Sequence, residues 1–409
     1  MAMVLTFSFV ARLAWVLLVP NEQYSDSVWY DSAARHLAVT GEYGPDTVSA
    51  WFPPGYPFLL AAIYKLIGYA PFAGKLANVA IGVGMTVFTY LLGRSLVSTS
   101  VGLLGALLVA CWPNLIFHTG ILSSDLLAAL GFVATIWLGS QPPTRWRVVI
   151  IGCLVGWMIL VRPVSGILVA GVGLIWARQH ALRMLLPVSL IAAAIVGSWT
   201  LRNYLTFGEP ILIATNGGYN FWQVNHRFAD GNDTFWPFVP EDDPEYVTMR
   251  TADEFTKNRE GYRYALTFLR MHPDRFIALI PAKIFWLYHT DTSGLYEGAL
   301  YAPMSDRTLL VTWILAHARI VEAATFRYYE ILLVFAIGAC IGIVATRRTT
   351  LLPLVAVPLL LTFFHLFFHA KDRFHIPLEP FIAILAVIAL AGARDLVAQA
   401  RSRRALRPG

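Results

Sequence analysis

Tyr24-Ser25-Asp26-Ser27-Val28-Trp29-Tyr30-Asp31-Ser32-Ala33-Ala34-Arg35-His36-Leu37 is a polar stretch set directly behind an apolar one, and its segment closes with Trp51-Phe52-Pro53-Pro54-Gly55-Tyr56-Pro57. Asp26, Tyr30, Ala33 and Leu37 lie four, three and four residues apart, so a helix puts them on one face. Ser25 suits the N-cap position, and the positive end of a helix favours a carboxylate in its first turn. The expectation is a short amphipathic helix holding Asp26 at a membrane surface. The alternative is an ordinary loop whose acids are solvated, as charged loop residues usually are.

The surroundings of this stretch are those of a membrane protein. The chain has 409 residues, of which 57% are hydrophobic and only 14% charged, against about a quarter charged in soluble domains. A spanning helix needs about 20 apolar residues. Spans are expected at 4–20, 72–93, 99–117, 121–140, 147–161, 163–177, 183–199, 328–346, 350–369 and 376–398. Segments 57–69, 275–289 and 308–323 are apolar but short or interrupted, and read as interfacial helices or tilted spans. Met1–Pro20 is apolar apart from Arg12 and reads as a retained first span, since it has no basic leader and no small-residue cleavage site. The fold class is therefore an all-α polytopic bundle of about 10–12 transmembrane helices, one membrane-embedded domain over 1–409. Within it, 21–56 is the first outer loop, 200–274 a long outer loop and 394–409 a basic tail.

The net charge of +6 points to an anionic partner only superficially, because the arginines cluster in particular loops. Arg94, Arg145, Arg147, Arg178, Arg183, Arg347, Arg348 and the tail Arg401, Arg403, Arg404 and Arg407 fall on one side, which the positive-inside rule makes cytoplasmic. Asp26, Asp31, Asp125 and the 200–274 loop then share the outer side, with both termini inside. There is no P-loop, dinucleotide glycine motif, zinc spacing or nucleic-acid signature. Cys111, Cys153 and Cys340 lie in hydrophobic segments and read as small buried apolar residues. In the long loop, an amphipathic helix is expected from about Met249 to Met271, with Phe255, Tyr262, Leu266 and Leu269 on one face and His272-Pro273 ending it. The acids Glu241, Asp242, Asp243 and Glu245 read as solvated rather than metal-binding. Asn232-Asp233-Thr234 fits a glycosylation sequon, which matters only in a eukaryotic secretory pathway.

Polar residues converge on the expected outer surface. Asp26 comes with Tyr30 and Arg35. Ser123-Ser124-Asp125 stands at the outer end of the fourth span, where it serves either as a helix cap or as a functional acid. Lys371-Asp372-Arg373-Phe374-His375-Ile376-Pro377 links the last two spans, Arg162-Pro163 occupies a short outer turn, and Arg202-Asn203-Tyr204 follows the seventh span. Either of these last arginines also has a bland reading, as a side chain snorkelling to the interface. Acids and arginines on one face suit a reaction with an anionic leaving group: a carboxylate takes a proton from an acceptor hydroxyl, and arginines stabilise charge growing on a phosphate oxygen.

Asp26-x-x-x-Tyr30, the following Ala34-Arg35-x-Leu37 and Pro53-Pro54-Gly55-Tyr56-Pro57 resemble the first outer loop of GT-C glycosyltransferases, in the protein O-mannosyltransferase-like and aminoarabinose-transferase-like branch. Ser123-Ser124-Asp125 is similar to that branch's Ser-Glu/Asp signature, and Val161-Arg162-Pro163 to its Leu-x-Arg-Pro turn. Trp199 to Tyr204 through Asn216-Gly217-Gly218 resembles its Arg-Asn-Tyr…Gly stretch, and Arg373-Phe374-His375-Ile376-Pro377 its Arg-Tyr-x-x-Pro motif. The resemblance runs over residues 1–390. It implies an inverting transfer of a sugar from a polyprenyl-phosphate donor to a hydroxyl of a glycan, lipid or protein acceptor, on the outer face of a bacterial plasma membrane. It implies Asp26 as base and Asp125 as second acid. Tyr30, Arg35, Tyr56, Arg162, Arg202, Asn216, Arg373 and His375 become candidates for substrate binding, with Arg202 and Arg373 the phosphate ligands. A divalent cation is a candidate cofactor, with Asp26 and Asp125 its only evident ligands, but Phe52 stands before Pro53-Pro54 where some relatives carry Glu-Lys. The competing readings are a transporter or flippase for lipid-linked sugars, and a non-catalytic lipid-binding subunit. The charges lie at one surface rather than at the midplane, and no inverted repeat is visible, which disfavours the first.

Overall fold

The structure, a computed structural model, describes residues 1–20, 23–232, 239–300, 308–368 and 370–405, and among these there is no β-strand. Helix α1 (Ala2–Leu18) precedes α2 (Asp26–Thr40), α3 (Gly55–Ile67) and α4 (Pro71–Leu96). Helices α5 (Thr99–Cys111) and α6 (Pro113–Phe117) are bent by 58° at their junction, because Pro113 has no N–H to continue the ladder. Four apolar helices follow: α7 (Asp125–Ser140), α8 (Arg145–Val161), α9 (Ile167–Arg178) and α10 (Leu185–Phe207). A more polar layer contains α11 (Asn216–Gln223), α12 (Pro244–Thr251) and α13 (Glu254–Met271). Then come α14 (Pro273–Tyr288), the single turn α15 (Ser293–Leu295), α16 (Leu309–Ala316), α17 (Ala318–Ala345), α18 (Leu352–His365) and α19 (Glu379–Ala405).

Each expected span falls on a helix. Among the described residues, four helical stretches are by length and composition apolar enough to cross a membrane, at 71–96, 182–207, 318–345 and 372–392, or five with the bent pair counted as one span. The segment 308–323 is not one element: it splits at His317 into α16 and the first turns of the 28-residue α17. The expected helix 249–271 is also two, because Asp253 caps α13 by accepting from the backbone N–H of Phe255 and Thr256. Its buried face is Gly261, Ala265 and Phe268, while Tyr262 and Leu266 are exposed. The reason is a backbone approach: a Cβ on Gly218 would meet the Asn258 carbonyl oxygen at 1.8 Å, and one on Gly261 the Gly218 oxygen at 2.3 Å. The Asn216-Gly217-Gly218 motif therefore docks α11 on α13. Gly218→Ala is expected to destabilise the protein by about 1–3 kcal/mol or more through overpacking. A thermal midpoint in detergent equal to that of wild type would contradict this.

Helix α7 is buried on all sides, through Leu126, Ala128, Ala129, Phe132, Val133 and Ile136, which makes it the central helix of the bundle. Around it pack Trp176 of α9, Tyr329 of α17 and Phe381 of α19 in one continuous core. Helix α17 turns Ile331, Val334, Ile337, Ile341 and Val344 outward, an apolar stripe at helical spacing that suits lipid contact. Cys153, expected to be buried, is exposed on α8; the cysteines are free. Of the four loop acids, Asp243 pairs with Arg227 and caps α12, and Glu245 accepts from the Trp222 indole at 2.7 Å. In the sequon, Asp233 and Thr234 lie outside the described residues, as do the side chains of the basic tail.

Candidate active site

Helix α2 forms as its spacing predicts, but Ser25 makes no side-chain cap. Its backbone is left-handed, at φ 54°, and the Ser27 hydroxyl ties the turn by accepting from the Tyr24 N–H at 2.8 Å and donating to the Tyr24 carbonyl at 2.7 Å. A non-glycine residue at positive φ stores on the order of 1–3 kcal/mol and tends to mark functional positions. Asp26 is the next residue. The helix is fixed on its other side by Asp31, which accepts from the Tyr64 hydroxyl at 2.6 Å and the Tyr69 hydroxyl at 2.7 Å. Asp31 is thus an anchor, and Asp26 is turned toward the bundle.

The Asp26 carboxylate forms an ion pair with Arg373, which sits in the helical turn Asp372–Leu378 ahead of α19. The same guanidinium lies 3.6 Å from Glu297. Asp125, the first residue of α7 and 1% exposed, forms a second ion pair with Arg162, whose Nε donates to the Ser124 hydroxyl at 3.1 Å. The Phe374 ring belongs to both pairs: the Arg162 and Arg373 guanidinium carbons each lie 5.5 Å from its centroid. Tyr30 is buried close to them, with Ser124 as a hydrogen-bonding neighbour, and its ring packs on Phe52 and Tyr56. Tyr56 turns inward and donates to Asn78 at 3.0 Å, and the Asn78 amide holds the Ile121 carbonyl at 2.7 Å, which fixes the approach to Asp125.

The electrostatics follow from this placement. Burial pushes the Asp26 carboxyl up, but the charge and hydrogen bond of Arg373 outweigh it, and the net position is below the usual carboxylate range. Burial, reinforced by the Asp26 charge, pushes the Tyr30 phenol up to about 12, so it remains a neutral donor at ordinary pH.

The structure thus brings together Asp26, Tyr30, Asp125, Arg162 and Arg373, with Tyr56 behind Tyr30. It places the other candidates elsewhere. Arg35 is exposed and stacks over Tyr69 at 4.9 Å. Arg202 lies over Trp199 at 4.7 Å and Phe207 at 5.3 Å, and donates to Asn203 at 3.0 Å. Asn216 opens α11, its backbone N–H bonded to the Trp51 carbonyl at 3.2 Å. His375 is fully buried with its ring stacked between Tyr288 and Tyr329. Glu297 was not foreseen. It belongs to no motif, and its only sequence signal is an acid between two interrupted apolar segments. A divalent cation held by Asp26 and Asp125 does not fit this arrangement, because each carboxylate is already neutralised by its own arginine.

Comparison with known proteins agrees with this architecture. Residues 52–200 match the family model described as dolichyl-phosphate-mannose-protein mannosyltransferase. No curated protein matches the chain. Among solved structures, the oligosaccharyltransferase of Archaeoglobus fulgidus in complex with Zn and sulfate aligns at a TM-score of 0.57 and 13% identity, over 96% of this chain and 49% of that one. The same archaeal enzyme, AglB, in complex with an inhibitory peptide and a dolichol-phosphate aligns at 0.50 and 13% identity, over 100% and 52%. ArnT from Cupriavidus metallidurans bound to undecaprenyl phosphate aligns at 0.48 and 15% identity, over 95% and 78%, a score too low to bear on the argument. The chain therefore spans about half the length of the archaeal enzyme, and at these identities the likeness is one of fold. By fold the chain is an all-α polytopic membrane protein similar to the archaeal oligosaccharyltransferase, and its residues 52–200 match the dolichyl-phosphate-mannose-protein mannosyltransferase family model.

Proposed function

We propose that the protein transfers a sugar from a polyprenyl-phosphate donor to an acceptor hydroxyl on the outer face of a bacterial plasma membrane, with inversion at the anomeric carbon. The observation that carries this reading is the pair of carboxylate–arginine contacts, Asp26–Arg373 and Asp125–Arg162, whose guanidinium groups both lie against Phe374. The dolichol-phosphate of the archaeal structure supports a lipid-linked donor, and the arginine distribution along the sequence supports an outer site with both termini in the cytoplasm.

In this mechanism the acceptor oxygen attacks the anomeric carbon from the side opposite the phosphate. The new carbon–oxygen bond forms as the bond to the phosphate oxygen breaks. The acceptor proton passes to Asp26, and the electron pair leaves with polyprenyl phosphate, whose charge Arg373 and Arg162 stabilise. Arg373 has two partners in turn. It holds Asp26 before the donor arrives, and the incoming phosphate draws it away. Asp26 then keeps its burial and loses the charge that held its pKa down, so it becomes a stronger base only when a donor is in place. Asp125, still paired with Arg162, orients the acceptor, and Tyr30 donates to a substrate oxygen.

The test uses purified protein in nanodiscs, a panel of labelled polyprenyl-phosphate sugars and membrane extract as acceptor. At least one donor is expected to be consumed with release of polyprenyl phosphate. Binding of a donor without consumption of any would contradict the transferase reading and favour a carrier of lipid-linked sugars.

A further inference from the structure

Behind Arg373 lies a second cluster, made of Asp291, His375 and Glu379, all 0% exposed, with one ligand-type atom from each within 4.8 Å of the others. We propose that these three residues form a buried divalent-cation site of the zinc class, separate from the candidate active site and independent of the transferase reading.

His375 Nδ1 lies 2.7 Å from the Leu287 carbonyl, which only accepts, so that nitrogen donates and Nε2 is turned into the cluster. A backbone carbonyl behind a histidine in this way is the usual support of a metal-binding imidazole. The ring cannot turn away, since it stacks on Tyr329 at 4.7 Å and Tyr288 at 5.8 Å. Nε2 faces the Asp291 carboxylate at 3.4 Å and the Glu379 carboxylate at 3.8 Å. It makes no hydrogen bond, and the Glu379 carboxyl has Asp291 and Asn114 as its hydrogen-bonding neighbours. Three ligand-type groups thus converge on one another.

Asp291 has its orientation fixed from the far side. The Trp112 indole donates to it at 2.7 Å, and the Asn114 amide donates to it as well. Asn114 is oriented in turn by the Gly294 N–H, which donates to its side-chain oxygen at 2.8 Å. Arg12, whose charge reaches Glu379, donates through its terminal nitrogens to Ser8 and to the carbonyls of Val109 and Ala110. Among the described residues, the ion pairs of Asp291 and Glu379 are with His375 alone.

Two buried acids beside one imidazole are costly unless a cation or a shared proton offsets them. The separations decide what kind. A proton shared between His375 and either acid would draw the two to about 2.7 Å, and both separations are longer. Ligands at about 2.0–2.2 Å from a tetrahedral ion stand roughly 3.3–3.5 Å apart, which is the His375–Asp291 spacing. One imidazole and two carboxylates suit a divalent transition ion, with a fourth position left over. The Tyr329 hydroxyl, buried and without a hydrogen-bond partner, belongs to the same pocket. Such an ion would clamp the segment after α14, the turn carrying Arg373 and the start of α19.

The test is the metal content of the full-length protein, purified in detergent and washed with EDTA to strip surface ions, read by inductively coupled plasma mass spectrometry. Wild type is expected to hold close to one equivalent of zinc, or of cobalt after growth in cobalt medium. The His375→Ala/Glu379→Gln variant is expected to hold less than a tenth of that, with its thermal midpoint lowered by several degrees. Wild type with less than a tenth of an equivalent of transition metal overturns the proposal, and so does full retention in the variant. If the variant fails to fold, the wild-type content alone decides. A Glu379→Gln protein that melts at or above the wild-type temperature also overturns it, since that result means the carboxyl is protonated and holds no ion.

Discussion

Asp26→Asn is expected to slow sugar transfer by about 10²–10⁴-fold, the usual contribution of a positioned general base. The substitution keeps the shape of the side chain, and α2 keeps its anchors through Asp31 to Tyr64 and Tyr69, so insertion and folding are expected to survive. The loss should fall on kcat. Donor binding should move the other way. Arg373 divides its attention between Asp26 and Glu297, and an amide at position 26 no longer competes for it. The variant is therefore expected to bind the lipid phosphate more tightly, by about tenfold, which corresponds to ~1.4 kcal/mol. Single-turnover transfer and direct binding on the same preparation check both halves. Near-normal turnover would remove Asp26 from the chemistry.

Arg373→Gln is the second large effect. In the proposed mechanism it removes a donor aimed at the leaving phosphate, and losses of about 10²–10³-fold in kcat are typical for such groups. It also alters the base. In wild type, the Asp26 carboxyl lies below the ordinary range because Arg373 outweighs burial. Without the arginine, burial and the neighbouring Asp125 charge both push it up. The sign is definite. In wild type the ionised form persists below the usual aspartate value, about 3.9, and the stability from the ion pair, present above that value, is lost as pH falls through the lowered one. In the variant, the acid limb of kcat/KM, which reports the free enzyme, is expected to move to higher pH. A pH profile superimposable on wild type would show that Arg373 does not set the state of Asp26.

What could be read from the sequence was local. The helix from Asp26 to Thr40 follows from polar and apolar spacing over a few turns, and the ten expected spans follow from hydropathy. Asp125 and Arg162 stand at the ends of apolar segments, where an ionisable residue draws notice. Their partners were not legible. Asp26 and Arg373 are 347 residues apart, and Glu297 reaches the same guanidinium from a segment with no periodic signal. Arg202 is a candidate phosphate ligand only through the resemblance of its Arg-Asn-Tyr stretch, while its position after a span suits a snorkelling side chain. The neighbouring Trp199, three residues earlier, was the overlooked sign that its guanidinium lies on an aromatic face. His375 was read as part of a polar turn, but that turn coils so that its ring points into the core. The break at Ala252-Asp253 lay in a capping residue that the wider apolar pattern concealed.

The central claim is that one arginine serves the base before the donor arrives and the phosphate afterwards. The most direct measurement is the affinity of wild type and Asp26→Asn for polyprenyl phosphate in nanodiscs, at neutral pH and fixed ionic strength. Tighter binding by the variant, with transfer slowed by about 10²–10⁴-fold, is the predicted result. Equal or weaker binding would mean that Asp26 and the phosphate do not compete for Arg373, and would contradict the account.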